Sequence, residues 1–331
     1  MVKVVIDRDI PFIGGLLEPY AQVVAAEGRS ISRSDVADAD ALVVRTRTRC
    51  DARLLEGTKV RTVITATIGT DHIDLEWCRS RGIAVFNAAG CNARGVLQWV
   101  SAVLACTLRT KGLKPQQLTL GVVGAGNVGS LVIEYARLWG FNVLACDPPR
   151  EEREHCGFIS AEEVFRRSDI VTLHVPLDSS TFHLVDSRML GLLGGRMLIN
   201  SSRGEVVDSE ALISSQAEFA LDVWEHEPDI NRRLVQRASV ATPHIAGYSL
   251  QGKANASAYA VEMLAERCGL PLRGWYPAGV ARTVPQRIGW DDMCGSIGAY
   301  FDVGAESRRL KADPGEFEAL RNAYRYRTEY F

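Results

Sequence analysis

Short apolar runs rich in β-branched residues alternate with helix-length stretches twice along this chain, once on each side of a long apolar segment at Gly95–Thr110. That alternation constrains the fold most. A strand, a crossover helix and a further strand build a parallel sheet with helices on its faces. The first series reads VKVVID, a helical stretch at Leu16–Glu27, ALVVRT, a helix at Ala52–Leu55, VRTVITA, a helix at Leu75–Arg81 and IAVFNA. After a linker at Lys111–Gln117, the second reads LTLGVVGAG, a helix at Ser130–Trp139, NVLACD, a helix from Ala161, DIVTLHVP, a helix at Ser187–Leu192, RMLINSS, a short helix from Ser209, FALDVW and ASVATPH. The fold class predicted is α/β, with Rossmann-type doubly wound parallel sheets in two domains.

A chain of 331 residues exceeds the roughly 250–300 at which single cores stop growing. The expected division is a substrate-binding domain at 1–95 plus 254–276, a cofactor domain at 96–253 and a small C-terminal α+β dimerisation domain at 277–331. The last rests on Trp290, Tyr300, Phe301, Phe317, Tyr324, Tyr326, Tyr330 and Phe331, set among arginines, a composition typical of buried interfaces. The alternative is that these aromatics pack against the chain's own domains. The segment is expected to end in a helix.

A net charge of −2 gives no reason to expect nucleic acid or an anionic membrane as partner. The opening MVKVVIDRDIPF is too polar for a signal-peptide core, and no apolar run reaches membrane-spanning length. A cytoplasmic protein is expected. The eight cysteines form no C-x-x-C pair and read as reduced core thiols. No His/Cys/Asp spacing suggests a metal site.

Gly124-x-Gly126-x-x-Gly129 follows an apolar strand and opens a helix. Gly124 permits a tight turn, Gly126 lets backbone approach a pyrophosphate, and Gly129 lets helix pack on strand. The amides of Asn127 and Val128 would stand at the positive end of that helix, where an anion is favoured. Asp147 ends the next strand, eighteen positions after Gly129, near the spacing of a ribose-binding acid. Its charge favours NAD over NADP, although Arg150 nearby could offset the repulsion.

Arg203, Glu227 and His244 each follow a strand of the second series, where strand ends face the ligand crevice. Oxidising a 2-hydroxy acid needs a base for the hydroxyl proton and an anchor for the carboxylate. A histidine beside a carboxylate supplies the first, and an arginine fork the second. The plainer alternatives are an ion-paired arginine, a charged surface turn at WEHEP and a satisfied core histidine. His174 is expected to pack or cap within its strand, and His72 to structure a turn. His155, His183 and His226 are expected at the surface.

NSSRGEVVD, LDVWEHEP and TPHIAG, downstream of GVVGAGNVG, resemble the D-isomer-specific 2-hydroxyacid dehydrogenases. DADALVVRTRT, ITATIGTDHID, AAGCNA, CDPPR, TPHIAGYSLQGKA and the C-terminal PGEFEALRNAYRYRTEYF extend the resemblance along essentially the whole chain. They narrow it to a member acting on a small phosphorylated 2-hydroxy acid. The resemblance implies a homodimer, NAD as cofactor, Arg203 and Glu227 in the active site and His244 as proton donor or acceptor. It further implies that Asp147, Val175, Asp222 and Gly247 line the cofactor, and that Thr46, Thr67 and Tyr248 contact substrate. Arg45 and Arg47, flanking Thr46, are candidate phosphate partners, with surface salt bridges an equal alternative. Other readings are a sister enzyme for 3-phosphoglycerate, glycerate or hydroxypyruvate, and a cofactor-sensing binding protein on the same fold.

Two departures stand out. Gln98 occupies a position where the family usually has Glu, with little consequence expected. Arg203 and Glu227 are only 24 positions apart, and SEALISSQAEFALDVW lacks the usual helix end and glycine turn. Either that crossover helix is short or residues are missing there. The second is expected, because a crossover needs room to reach the next parallel strand.

Overall fold

The computed structural model describes residues 1–331 and divides them into two compact units, Met1–Asn92 with Leu250–Arg282, and Ala93–Ser249 with Thr283–Phe331. The first holds β1 (Lys3–Asp7), β2 (Gln22–Ala26), β3 (Ala41–Val44), β4 (Thr62–Thr65) and β5 (Ala84–Asn87), in the order β2-β1-β3-β4-β5. Every pairing in it is parallel. β3 and β4 are buried at every residue, as strands covered on both faces are. The helix Leu250–Cys268 packs Ala260, Val261 and Leu264 on this sheet.

The second unit holds β6 (Thr119–Val123), β7 (Asn142–Cys146), β8 (Ile170–Leu173), β9 (Met197–Asn200), β10 (Glu218–Leu221) and β11 (Val240–Ala241). Their order is β11-β10-β9-β8-β6-β7, again all parallel. The chain runs outward from β6 to β7, then returns to the other side of β6 with β8. The carboxyl ends of β6 and β8 therefore flank the topological switch point, where open α/β sheets bind ligands.

Several expectations change. The stretch Leu16–Glu27 is not a helix: Gln22–Ala26 is an edge strand in register with β1, Lys3 opposite Gln22. Pro11, Gly14, Gly15 and Pro19 interrupt the approach, and the adjacent β-branched Val23 and Val24 suit a strand.

The Arg203–Glu227 crossover needs no missing residues. Its helix is six residues, Ser209–Ser214, with Asp208 capping its start through the Ala211 amide. Where a glycine turn was expected, the Arg237 guanidinium donates to the carbonyls of Leu212, Ile213, Ser215 and Ala217 at 2.6–3.0 Å. One side chain thus satisfies the orphan acceptors of a helix end, and three residues suffice to enter β10.

Residues 283–331 form no compact unit of their own. Trp290 packs edge-on against Trp139 and Phe141, and Phe331 lies against Tyr135. Leu310 and Phe317 join a second core with Leu234 and Val235. Trp290, Phe301, Phe317 and Phe331 therefore pack within the chain's own cofactor unit. The substrate unit ends at Arg282 rather than 276 and regains the chain at Leu250 rather than 254.

The chain does not end in a helix. Beyond Phe317–Ala323 it is extended and carries Arg327 into the interior. Gln98 is likewise buried and donates to the Thr328 carbonyl at 3.2 Å, so this departure does have a structural consequence. Buried Arg327 donates to Ile245 O at 2.9 Å, Gly95 O at 2.7 Å and Ala246 O, with its guanidinium 4.3 Å from the Phe301 ring centre. Arg327→Met would leave three carbonyls without this donor. It is expected to lower the unfolding free energy by about 3 kcal/mol in a urea titration, whereas exposed Arg325→Met changes it by no more than about 0.5 kcal/mol.

Candidate active site

The glycine loop after β6 has the geometry its sequence implied. Gly124 has φ +88°, and a Cβ there would sit 2.5 Å from the His174 carbonyl oxygen. A Cβ on Gly129 would lie 1.9 Å from the Gly124 carbonyl oxygen, so strand and helix meet only because both are glycine. Gly126 caps the helix Asn127–Trp139, and Gly126 and Asn127 are exposed, with Val128 half-buried behind them. Those first amides present the positive end of a thirteen-residue helix to any bound anion. Val175 follows β8 and packs beside Gly124.

Asp147 ends β7 with both carboxylate oxygens engaged. One accepts the Ala125 amide at 2.8 Å, bracing the glycine loop, and the other accepts the Arg150 amide at 3.0 Å. Arg150 is forked on Glu154 at 2.8 and 2.6 Å and donates to Ala125 O at 2.8 Å. The cation that might have offset repulsion of a 2′-phosphate is thus matched by its own carboxylate. These residues fit a dinucleotide: a steric cradle, free helix-end amides and an acid at the ribose position.

β9, β10 and β11 are neighbours, and Arg203, Glu227 and His244 follow their carboxyl ends in that order. Arg203 precedes the short helical turn Gly204–Val206, its own carbonyl held by Asn200 Nδ2 at 2.8 Å. His244 has φ +57°, a left-handed conformation costing roughly 1–3 kcal/mol outside glycine. Asp222, fully buried, holds the loop in it: the carboxylate accepts Thr242 Oγ1 at 2.6 Å and the amides of Ile245 and Ala246 at 2.8 Å each. Burial raises its pKa against the opposing pull of His244 and these donors. Asp222's side chain faces inward, so any cofactor contact falls to its backbone. Gly247, half-buried, lies in the turn that follows.

Glu227 Oε2 lies 2.7 Å from His244 Nδ1, and Oε1 accepts the Trp224 amide at 3.0 Å. Burial alone would raise the Glu227 pKa, but the charge and hydrogen bond of His244, the Arg321 charge and the Trp224 amide outweigh it and hold it below its ordinary value. A carboxylate on Nδ1 assigns the proton to that nitrogen and leaves Nε2 as the basic atom.

The sequence offered no signal for Arg321. Its Nη1 lies 3.6 Å from the same Glu227 oxygen, and its Nε donates to the Tyr248 hydroxyl at 3.0 Å. No motif links residues 94 positions apart.

In the first unit, Thr46 and Thr67 follow the ends of adjacent strands β3 and β4. Arg45 is tied to Asp7 at 2.9 Å and to Asp9 at 2.8 Å; the salt-bridge alternative holds for it and fixes the loop that exposes Thr46. The remaining polar groups have quieter tasks. Burial pushes His174 down to about 3, with Thr172 Oγ1 3.0 Å from its Nε2. His72 is buried in a turn, and His183 is half-buried with its Nε2 2.7 Å from a Glu225 carboxylate oxygen. The eight cysteines are thiols and form no disulfide; Cys156 is exposed, and burial pushes Cys50 up to about 12.

Residues 93–246 match the family described as D-isomer specific 2-hydroxyacid dehydrogenase, NAD binding domain. The chain is 41% identical over 342 residues to an erythronate-4-phosphate dehydrogenase of Bacteroides fragilis, covering 99% of this chain and 97% of that one. It belongs to the erythronate-4-phosphate dehydrogenases of the D-isomer specific 2-hydroxyacid dehydrogenase family. A Pseudomonas syringae relative of the same name is 42% identical over 278 residues, 81% of this chain and 72% of that one. The solved structure of an Aquifex aeolicus D-lactate dehydrogenase, complexed with NAD and lactic acid, aligns with TM-score 0.67 at 25% identity, covering 84% of this chain and all of that one. The protein is an NAD-dependent oxidoreductase of this family.

The depressed Glu227 carboxyl makes a pH prediction. Its stabilising contribution is present above the unfolded value of 4.5 and is lost as pH falls through the lower folded value. Glu227→Gln removes that linkage. The gap in unfolding free energy between parent and variant is expected to narrow as urea titrations move from about pH 7 to about pH 3. A gap that stays constant with pH contradicts the ionised pair.

Proposed function

We propose that the chain oxidises 4-phospho-D-erythronate to 2-oxo-3-hydroxy-4-phosphobutanoate with NAD, as a step of pyridoxal 5′-phosphate biosynthesis. The observation that carries this reading is the His244–Glu227 contact of 2.7 Å in a chain 41% identical, over nearly its whole length, to a relative named for that substrate. The bound nicotinamide would supply the acceptor for the hydride leaving C2.

In this mechanism His244 Nε2 takes the proton of the C2 hydroxyl as that bond becomes a carbonyl. Glu227 holds Nδ1–H, fixes the ring and stabilises the imidazolium that forms. Arg203 offers its planar fork to the substrate carboxylate and, in reverse, polarises the ketone. Asp147 would hold the ribose hydroxyls of the bound cofactor, and the amides of Asn127 and Val128 its pyrophosphate. Val175, Asp222 and Gly247 would line the cofactor through their backbones. Thr46, Thr67 and Tyr248 are substrate contacts in this reading. Arg45, although paired with Asp7 and Asp9, and Arg47 are the arginines proposed for the phosphate. The chain would act as a homodimer.

Turnover of 4-phospho-D-erythronate with NAD, followed as NADH absorbance, should exceed that of 3-phosphoglycerate by at least about tenfold in kcat/KM; the reverse order would transfer the assignment to the sister substrate. His244→Ala is expected to lower kcat by roughly 10²–10⁴-fold with NADH affinity nearly intact. Unchanged turnover would remove His244 from the mechanism. Asp147→Ala should weaken NAD and narrow the NAD/NADP ratio of kcat/KM, and an unaltered ratio would move cofactor selectivity elsewhere.

A further inference from the structure

Glu227 has two nitrogen neighbours, His244 and Arg321, and only the first belongs to the His–Glu–Arg set. The second, Arg321, comes from the helix Phe317–Ala323 near the chain's end. It approaches the same oxygen, Oε2, that receives His244 Nδ1: 3.6 Å from Arg321 Nη1 and 2.7 Å from the imidazole. Its Nε donates to the Tyr248 hydroxyl at 3.0 Å, and its guanidinium carbon lies 5.8 Å from that ring's centre. The side chain is about one-quarter exposed, at 26%, so water screens these charges only in part. Surface arginines with a solvated partner contribute little; this one is braced between a tyrosine hydroxyl and a nearly buried carboxylate.

We infer that Arg321 is a positioning residue for the His244–Glu227 pair, a second cation that shares the Glu227 carboxylate with the imidazole and fixes the Tyr248 hydroxyl beside it. This inference rests on the proton-transfer role given to His244 above. Two effects follow. The carboxylate charge is divided, so a protonated imidazole receives less of it. The guanidinium also repels that protonated form directly. Both act against the protonated imidazole, the form that cannot accept a hydroxyl proton.

Other charged and titratable groups around the pair do not take this part. Asp222 lies behind the loop with its carboxylate on Thr242 and the amides of Ile245 and Ala246. Arg327 is turned to the carbonyls of Gly95, Ile245 and Ala246. Tyr324 accepts from Arg327 at 3.3 Å, and Arg203 stands at the end of the neighbouring strand β9 with Nη1 on Ser202 O at 2.7 Å. Among the arginines of the terminal segment, it is Arg321 that approaches Glu227.

Arg321→Met removes the charge at similar length, and Arg321→Lys keeps it. The first readout needs no substrate: the titration midpoint of the His244 ring, followed by NMR in the full-length protein, assigned with His244→Asn. Arg321→Met is expected to raise that midpoint by about one pH unit, with Arg321→Lys within about 0.3 of the parent. The second is the acid limb of kcat/KM for 4-phospho-D-erythronate oxidation, expected to move upward in parallel while NADH affinity changes less than about twofold. A midpoint that stays fixed in Arg321→Met overturns the inference. So does a midpoint that moves equally in both variants, which would mark a packing effect. If Arg321→Met does not fold, Arg321→Gln takes its place under the same criteria. Should the parent fail to oxidise 4-phospho-D-erythronate, the functional reading falls while the NMR midpoint still decides the role of Arg321.

Discussion

The carboxylate of Asp222, buried at the end of β10, organises the loop on which the candidate chemistry depends. It draws in the Thr242 hydroxyl and the amides of Ile245 and Ala246, while Trp99 and Trp224 hold Thr242 from either side through its hydroxyl and its carbonyl. The carbonyls of Ile245 and Ala246 go instead to the buried guanidinium of Arg327. The donors of this loop thus meet a buried anion and its acceptors a buried cation. A left-handed histidine at 244 persists only because its surroundings over-determine it in this way. The strain is local, and what offsets it comes from β10, from the helix Ala93–Lys111 and from the last residues of the chain.

That last source changes how the terminal segment is understood. Its composition resembles an interface, yet Trp290, Phe301 and Phe331 complete the apolar core of the cofactor unit. Arg327 satisfies carbonyls in two places far apart in sequence, Gly95 and Ile245–Ala246. The segment is therefore part of the unit's core: removing it would expose apolar surface and leave buried acceptors unmet.

The features legible in the sequence are those with local causes. Alternating apolar runs placed ten of the eleven strands, since burial on both faces writes itself into each strand's composition. The glycine loop was legible because each glycine answers a steric demand within a few residues. Strand-end positions of Arg203, Glu227 and His244 followed from chain order alone. What escaped notice has distant causes. The strand at Gln22–Ala26 owes its pairing to β1. The short helix Ser209–Ser214 ends cleanly only because Arg237, more than twenty positions on, caps its carbonyls. Arg321 and Arg327 meet their partners through the tertiary fold, and no spacing rule reaches so far.

Charge balance connects these elements to the substrate class. Arg203 follows β9, Arg321 approaches Glu227, and Glu227 and Asp222 are the carboxylates near His244, so the formal charges of these side chains cancel before a substrate arrives. A 2-hydroxy acid adds one negative charge at its carboxylate. In the proposed reaction the hydroxyl proton only moves from substrate to His244, which leaves the total charge unchanged, and it is the hydride leaving for the nicotinamide that removes one negative charge as the carbonyl forms. A phosphate group brings about 1.5–2 further negative charges, and the groups around His244 leave none of their own to meet it. A phosphorylated substrate therefore requires cationic or amide donors beyond the His–Glu–Arg set. Under the proposed function that demand is assigned to Arg45 and Arg47, which flank exposed Thr46 in the loop after β3, although Arg45 is also held by Asp7 and Asp9.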